Sequence, residues 1–153
     1  MKKLRLLSLC LCPLFVYAAP ACNGDYVQGT IETTPTFNDG TFLSGGGFNN
    51  IELSHTHITV NSNGTDYDVA IDNVFASDYD QSGGSSIPQS YSSALQVGQT
   101  IELCGTDYTG GQTGIHWVHT NCGVSSSGPA GYAIVNGVDL TSNTEYCPLW
   151  PTS

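Results

Sequence analysis

The chain has 153 residues, of which 13 are acidic and 3 basic, giving a formal charge of −10. Lys2, Lys3 and Arg5 all fall within the first 18 residues, so the remainder carries no Lys or Arg and a formal charge of −13 (0 − 13). Such a chain cannot neutralise phosphates and would be repelled by an anionic bilayer, which argues against nucleic acid and membrane insertion alike.

The basic start is followed by an apolar run over 6–17 and then by Ala18-Ala19-Pro20-Ala21. This is the pattern of a secretory signal peptide over 1–18, with cleavage after Ala18. A single domain over 19–153 is expected, secreted to the periplasm or the exterior and monomeric. Cys10 and Cys12 belong to the leader; Cys22, Cys104, Cys122 and Cys147 remain. Four cysteines in an exported chain imply two disulfides, with three connectivities open.

Beyond the leader, short alternating runs separated by turn residues predict strands. The first spans 25–33. A Gly-rich loop follows over 35–50. The second strand, 51–60, places Thr56, Ile58 and Val60 on one face and His55, His57 and Thr59 on the other. Asn63-Gly64 is a hairpin signal before the third strand, 66–74, in which Tyr67, Val69 and Ile71 point inward and Asp68 and Asp72 outward. A polar loop spans 77–86. A short helix is expected over 88–95, with Pro88 at its first turn. Gly98 turns the chain into a fourth strand containing Ile101 and Leu103. A Gly-rich turn over 108–113 leads to the fifth strand, 114–120. Asn136-Gly137 joins a further hairpin over 131–135 and 138–140.

Three strands, a connector with one short helix, then two strands follow the order of an OB-type barrel. The expected fold class is therefore all-β: an OB-like five-stranded barrel with an added C-terminal hairpin. In that topology the start of strand one lies beside the end of strand four. Cys22 is accordingly paired with Cys104, leaving Cys122 to pin the tail through Cys147.

Within 95–137, Gly110 and Gly111, then Ile115-His116-Trp117-Val118-His119, then Gly131-Tyr132 and Asn136-Gly137, form a recognisable series. It resembles the C-terminal half of a family of small, exported bacterial OB-like proteins of uncharacterised function, which carry an Ile-His-Trp-x-His motif. The resemblance implies the fold rather than an activity. Upstream, the family has an Arg-His-Gln-Arg-aromatic strand where this chain has Ser54-His55-Thr56-His57-Ile58, so only His55 is kept. Ile71 stands where the family has a histidine in the next strand.

The four histidines, His55, His57, His116 and His119, are a candidate metal set, because imidazole suits zinc, copper or nickel. A divalent metal is accordingly the candidate cofactor. His55 and His57 share a face. His116 and His119 lie three apart and would face opposite ways in a regular strand. One site for all four would need a bulge or a strand end; three ligands, His55, His57 and either His116 or His119, fit more simply. The competing expectation is that Trp117 packs while His119 bonds a carbonyl or a carboxylate. Asp78, Asp80 and Ser82 match the opening of a calcium loop, although its twelfth position is Gln89 rather than Glu.

No Gly-x-Ser-x-Gly elbow is present, and oxidised cysteines offer no thiol nucleophile. A His–carboxylate pair could be built from His116 or His119 with Asp68 or Asp107. No catalytic residues are assigned. The expectation is an acidic binding module whose ligand meets His55, His57, Trp117 and His119 beside strands two, three and five. A neutral polar ligand such as a glycan, or a cationic protein surface, would suit that face. The alternatives are a metal-dependent hydrolase and a secreted interaction or virulence factor without a small-molecule site.

Overall fold

A computed structural model describes residues 18–42, 52–80, 86–123 and 128–149. The leader expected over 1–18 lies outside them except for Ala18, and so does Ser82. The chain forms β1 (Asp25–Ile31), β2 (Thr36–Phe42), β3 (Glu52–Ser62) and β4 (Thr65–Asp72), then the short helix α1 (Gln89–Ala94). It continues with β5 (Thr100–Asp107), β6 (Gly114–His116), β7 (Tyr132–Val135) and β8 (Val138–Asp139).

Five of these strands close a barrel in the order β1-β3-β4-β6-β5, with β5 returning to β1. The pairing of β4 with β6 is parallel and the other barrel pairings are antiparallel. This is the connectivity of an OB barrel, whose third and fifth strands run side by side. β1 pairs β5 along its length, from Asp25 opposite Gly105 to Thr30 opposite Thr100, but meets β3 only at Thr30 and Ile31. The edge of β5 beyond the short β6 is taken by β7, with Ile101 opposite Val135. The added hairpin thus extends the sheet where β6 is too short to do so.

Two Asn-Gly turns set the register of their hairpins. Asn63 and Asn136 both have φ 52°, each followed by a glycine with positive φ, as a two-residue turn matching strand twist requires. From Ser62 opposite Thr65 the β3–β4 ladder then runs without a slip to His55 opposite Asp72. Alternation puts Thr56, Ile58 and Val60 inside, with Val69, Ile71, Ile101, Leu103 and Ile115. Tyr91 and Leu95, from α1 and its end, join this core. The sulfurs of Cys22 and Cys104 are bonded, as are those of Cys122 and Cys147. Both pairings agree with the expectation from topology and fit an oxidising, extracytoplasmic compartment. No helix among the described residues is long and apolar enough to cross a membrane.

Three local expectations need correction. The stretch 36–42, expected as loop, is β2, an added strand on the edge of β3. It pairs from Thr36 opposite His57 to Phe42 opposite Glu52, with an irregularity between Asn38 and Thr41. That irregularity interrupts the alternation by which a strand is read. The third strand stops at Asp72 rather than 74, because the Asp72 carboxylate accepts from the Val74 amide and caps a 3-10 turn over Asn73–Phe75. Asn73 is buried and tied to β3 through the hydroxyls of Thr56 (2.6 Å) and Ser54 (3.0 Å). The fifth strand ends at His116, not 120, because Trp117 turns into the left-handed region at φ 56°.

Candidate functional site

That left-handed residue builds the site. Ile115 and Val118 both reach the core with 0 % exposure, although they lie three apart in sequence. Strand alternation cannot do this; the turn at Trp117 supplies the extra residue. The expectation that His116 and His119 face opposite ways is therefore overturned. Both line one pocket of about 210 Å³, together with His55, Ala70, Asp72 and Trp117. The turn is held from outside. The Gly131 amide donates to the His119 carbonyl at 2.8 Å, and a Cβ on Gly131 would stand 2.3 Å from the Trp117 carbonyl oxygen. Only glycine fits there.

The pocket lies on the outer face of β3, β4 and β6. Register places His55 and His57 beside Asp72 and Ala70 on this face, with His116 across β4. Asp72 was expected to point outward. Its parity is right, but it is not solvated: it is 6 % exposed, under the pocket. Burial pushes its carboxyl up to about 7 against the opposing pull of the Val74 amide.

His119 is also 6 % exposed, and its ring stacks on Phe75 with centroids 3.9 Å apart and planes 8° from parallel. Its Nδ1 lies 2.8 Å from the Thr120 carbonyl oxygen. A carbonyl can only accept, so Nδ1 carries the proton and Nε2 is left as an acceptor. Burial, aided by the imidazoles of His55 and His116, lowers the His119 pKa to about 4 despite that carbonyl. Burial also lowers His55, with help from His57 and His116, and it lowers His116. These imidazoles are therefore uncharged at neutral pH. Trp117 sits between them, its ring 5.3 Å from that of His119 and 6.3 Å from that of His116.

His57 goes elsewhere. Its Nδ1 lies 3.0 Å from Asp68 Oδ1, and the Tyr108 hydroxyl donates to Asp68 Oδ2 at 3.2 Å. Gly114 makes room for this arrangement, since a Cβ there would stand 2.5 Å from the Tyr108 ring. His57 and Asp68 border a second hollow of about 250 Å³ with Thr33, Thr34, Thr36 and Thr59. Of the four expected ligand residues, His55, Trp117 and His119 share the pocket, and His57 stands beside it, 6.3 Å from His55 between ring centroids. The expected acid–base pairing is also redistributed: Asp68 is bonded to His57, not to His116 or His119. The Asp107 amide meets the Asp25 carboxylate at 2.9 Å.

Among the described residues no three His, Cys, Asp or Glu side chains are placed to hold one ion. His57 is drawn to Asp68, outside the pocket lined by His55, His116 and His119. In the expected calcium loop, Asp78 instead binds the start of α1, accepting from the Ser90 amide at 3.0 Å and from the Ser90 hydroxyl.

Asp72 is the pocket residue that sequence reasoning missed. Counting back from the Asn63-Gly64 turn pairs it with His55, so its position was legible; its burial was not. Comparison with known protein families, with curated proteins and with solved structures finds no match to this chain.

Proposed function

We propose that this protein is an exported binding module, and that its ligand places a small polar group in the pocket between His55, His116, Trp117 and His119. The observation that carries this is the left-handed turn at Trp117. It gathers an indole and two imidazoles from one short segment onto a barrel face that already bears His55. Holding a bulky residue at positive φ costs roughly 1–3 kcal/mol, and such residues concentrate at functional sites. At about 210 Å³ the pocket is smaller than the ~300–1,000 Å³ of sites that enclose a whole drug-sized ligand. It suits the end of a larger ligand, a glycan terminus or a side chain of a partner protein. Uncharged imidazoles offer both a donor and an acceptor, and an indole offers an apolar wall. Export is supported by the leader expected over 1–18 and by the two disulfides.

The test is an array of glycans and peptides probed with disulfide-intact protein, wild type beside Trp117→Gly and His55→Ala. Glycine accepts the left-handed conformation, so the first variant removes the indole without straining the turn. A ligand retained by wild type and lost by both variants is expected. Ligands that bind all three proteins equally would place recognition on another surface.

A further inference from the structure

We propose that the group this pocket takes is a protonated primary amine, held by the Asp72 carboxylate and the indole face of Trp117. This rests on the binding reading above and adds the ligand's chemistry to it. Asp72 is 6 % exposed and lines the pocket, and among the described residues its carboxyl accepts from the Val74 amide, at Oδ1, and meets no cation. The chain beyond residue 18 contains no Lys or Arg that could neutralise it. A buried carboxyl without a cation either holds its proton or waits for a cation to arrive from outside.

The other walls suit the same ligand. His119 Nδ1 is committed to Thr120, so the nitrogen it can offer a ligand is Nε2, as an acceptor. His55 and His116 are uncharged at neutral pH and can present a lone pair as well. Trp117 supplies the aromatic face that attracts a cation most strongly. An ammonium group, with three donors on a compact charge, matches acceptors gathered in a small pocket; a planar guanidinium would need them side by side. A pocket of about 210 Å³ has room for an ammonium group and a short alkyl stem. A carboxylate or phosphate would find no cation there. The acidity of the whole chain draws cations towards it.

Binding of the amine is coupled to a proton. Asp72 must be ionised in the complex, so entry of the ammonium expels the Asp72 proton wherever that proton is held. The groups facing Asp72 are His55 on β3, His116 on β6 and His119 beyond it. Tyr91 of α1 joins them through its hydroxyl, which donates to the Asp72 carbonyl at 3.0 Å; Asp78 and Asp139 act on Tyr91 from further off. None of these is a cation at pH 7. Affinity should therefore be full near pH 8 and roughly tenfold weaker at pH 6.

Four histidines make the test direct, because the imidazole Cε1–Hε1 region of the proton–carbon NMR spectrum holds four signals, one for each. The disulfide-intact protein is titrated with n-butylammonium, 1-butanol and butanoate, as wild type and as Asp72→Asn. Asn keeps the cap on the Val74 amide and cannot ionise. Expected are shifts of His55, His116 and His119 with n-butylammonium, at least tenfold weaker binding of 1-butanol, and none of butanoate. Asp72→Asn should lose at least tenfold in amine affinity while its spectrum otherwise stays native. A blocked lysine peptide beside its Nε-acetyl form separates the sources. Binding of the former alone assigns the amine to a lysine side chain; exclusion of both, with n-butylammonium bound, assigns it to a free small amine. Equal binding of 1-butanol and n-butylammonium, unaffected by Asp72→Asn, overturns the amine and leaves the binding pocket standing. Silence of all four signals towards every probe overturns both. Stoichiometric zinc at these histidines without amine binding overturns the amine as well.

Discussion

Asp72 and His119 share one pocket with their protonation order inverted. Burial pushes the carboxyl up to about 7 and the imidazole down to about 4, so the carboxylate is the stronger base of the two. Each residue prefers its uncharged form because neither has a counter-ion.

This inversion sets the pH dependence of stability. Asp72 has a raised folded pKa, so its contribution is full below about 4 and is lost as pH rises through about 7. His119 has a depressed folded pKa, so its contribution is present above 6.5 and is lost as pH falls through about 4. Between those limits the two slopes oppose each other, each worth on the order of a few kcal/mol. Asp72→Asn should steepen the loss of stability on the acid side and stabilise the protein at pH 8, where the wild type must bury a charge. His119→Asn, whose amide can still donate to Thr120, should flatten or reverse the acid slope. Urea midpoints from pH 4 to 8 check both; parallel curves for the three proteins would show that neither group is held as described.

Trp117 makes a conformational prediction. Its φ of 56° is one that L side chains adopt at a cost of roughly 1–2 kcal/mol and glycine does not. Trp117→Gly should therefore be more stable than Trp117→Ala by about 1 kcal/mol, the reverse of their order in a regular element. Circular dichroism during urea unfolding reads the difference. If alanine is the more stable variant, the left-handed turn is not held in solution.

The disulfides divide the stabilisation unequally. Cys22–Cys104 closes a separation of 82 residues and Cys122–Cys147 one of 25. On chain-entropy grounds they contribute about 4.5 and about 3.5 kcal/mol. Paired alanine substitution of Cys22 and Cys104 should lower the melting temperature more than that of Cys122 and Cys147. The second pair of substitutions should act on the site instead. Cys122 follows His119 by three residues, so the His119 imidazole signal should move while that of His57 stays. Equal movement of both would mean that the tail does not brace the pocket.

Much of the barrel was legible because its signals are local. Alternation located the inward residues of β3 and β4, and Asn63-Gly64 set their register. The OB order then brought Cys22 to Cys104. β2 escaped because the irregularity between Asn38 and Thr41 breaks the alternation by which a strand is read. The site escaped in part for a similar reason. Parity separates His116 from His119 only while the chain stays extended, and at Trp117 it does not.

The sequence by itself determined the acidic charge, the four cysteines beyond residue 18 and the face shared by His55 and His57, because these follow from residue type and a two-residue period. Only the tertiary structure decided that His116, Trp117 and His119 meet His55 over a buried Asp72. That meeting depends on a left-handed turn braced by Gly131, on Phe75 beneath His119, and on Asp68 drawing His57 aside. These are contacts between segments distant in the chain, and no local period encodes them.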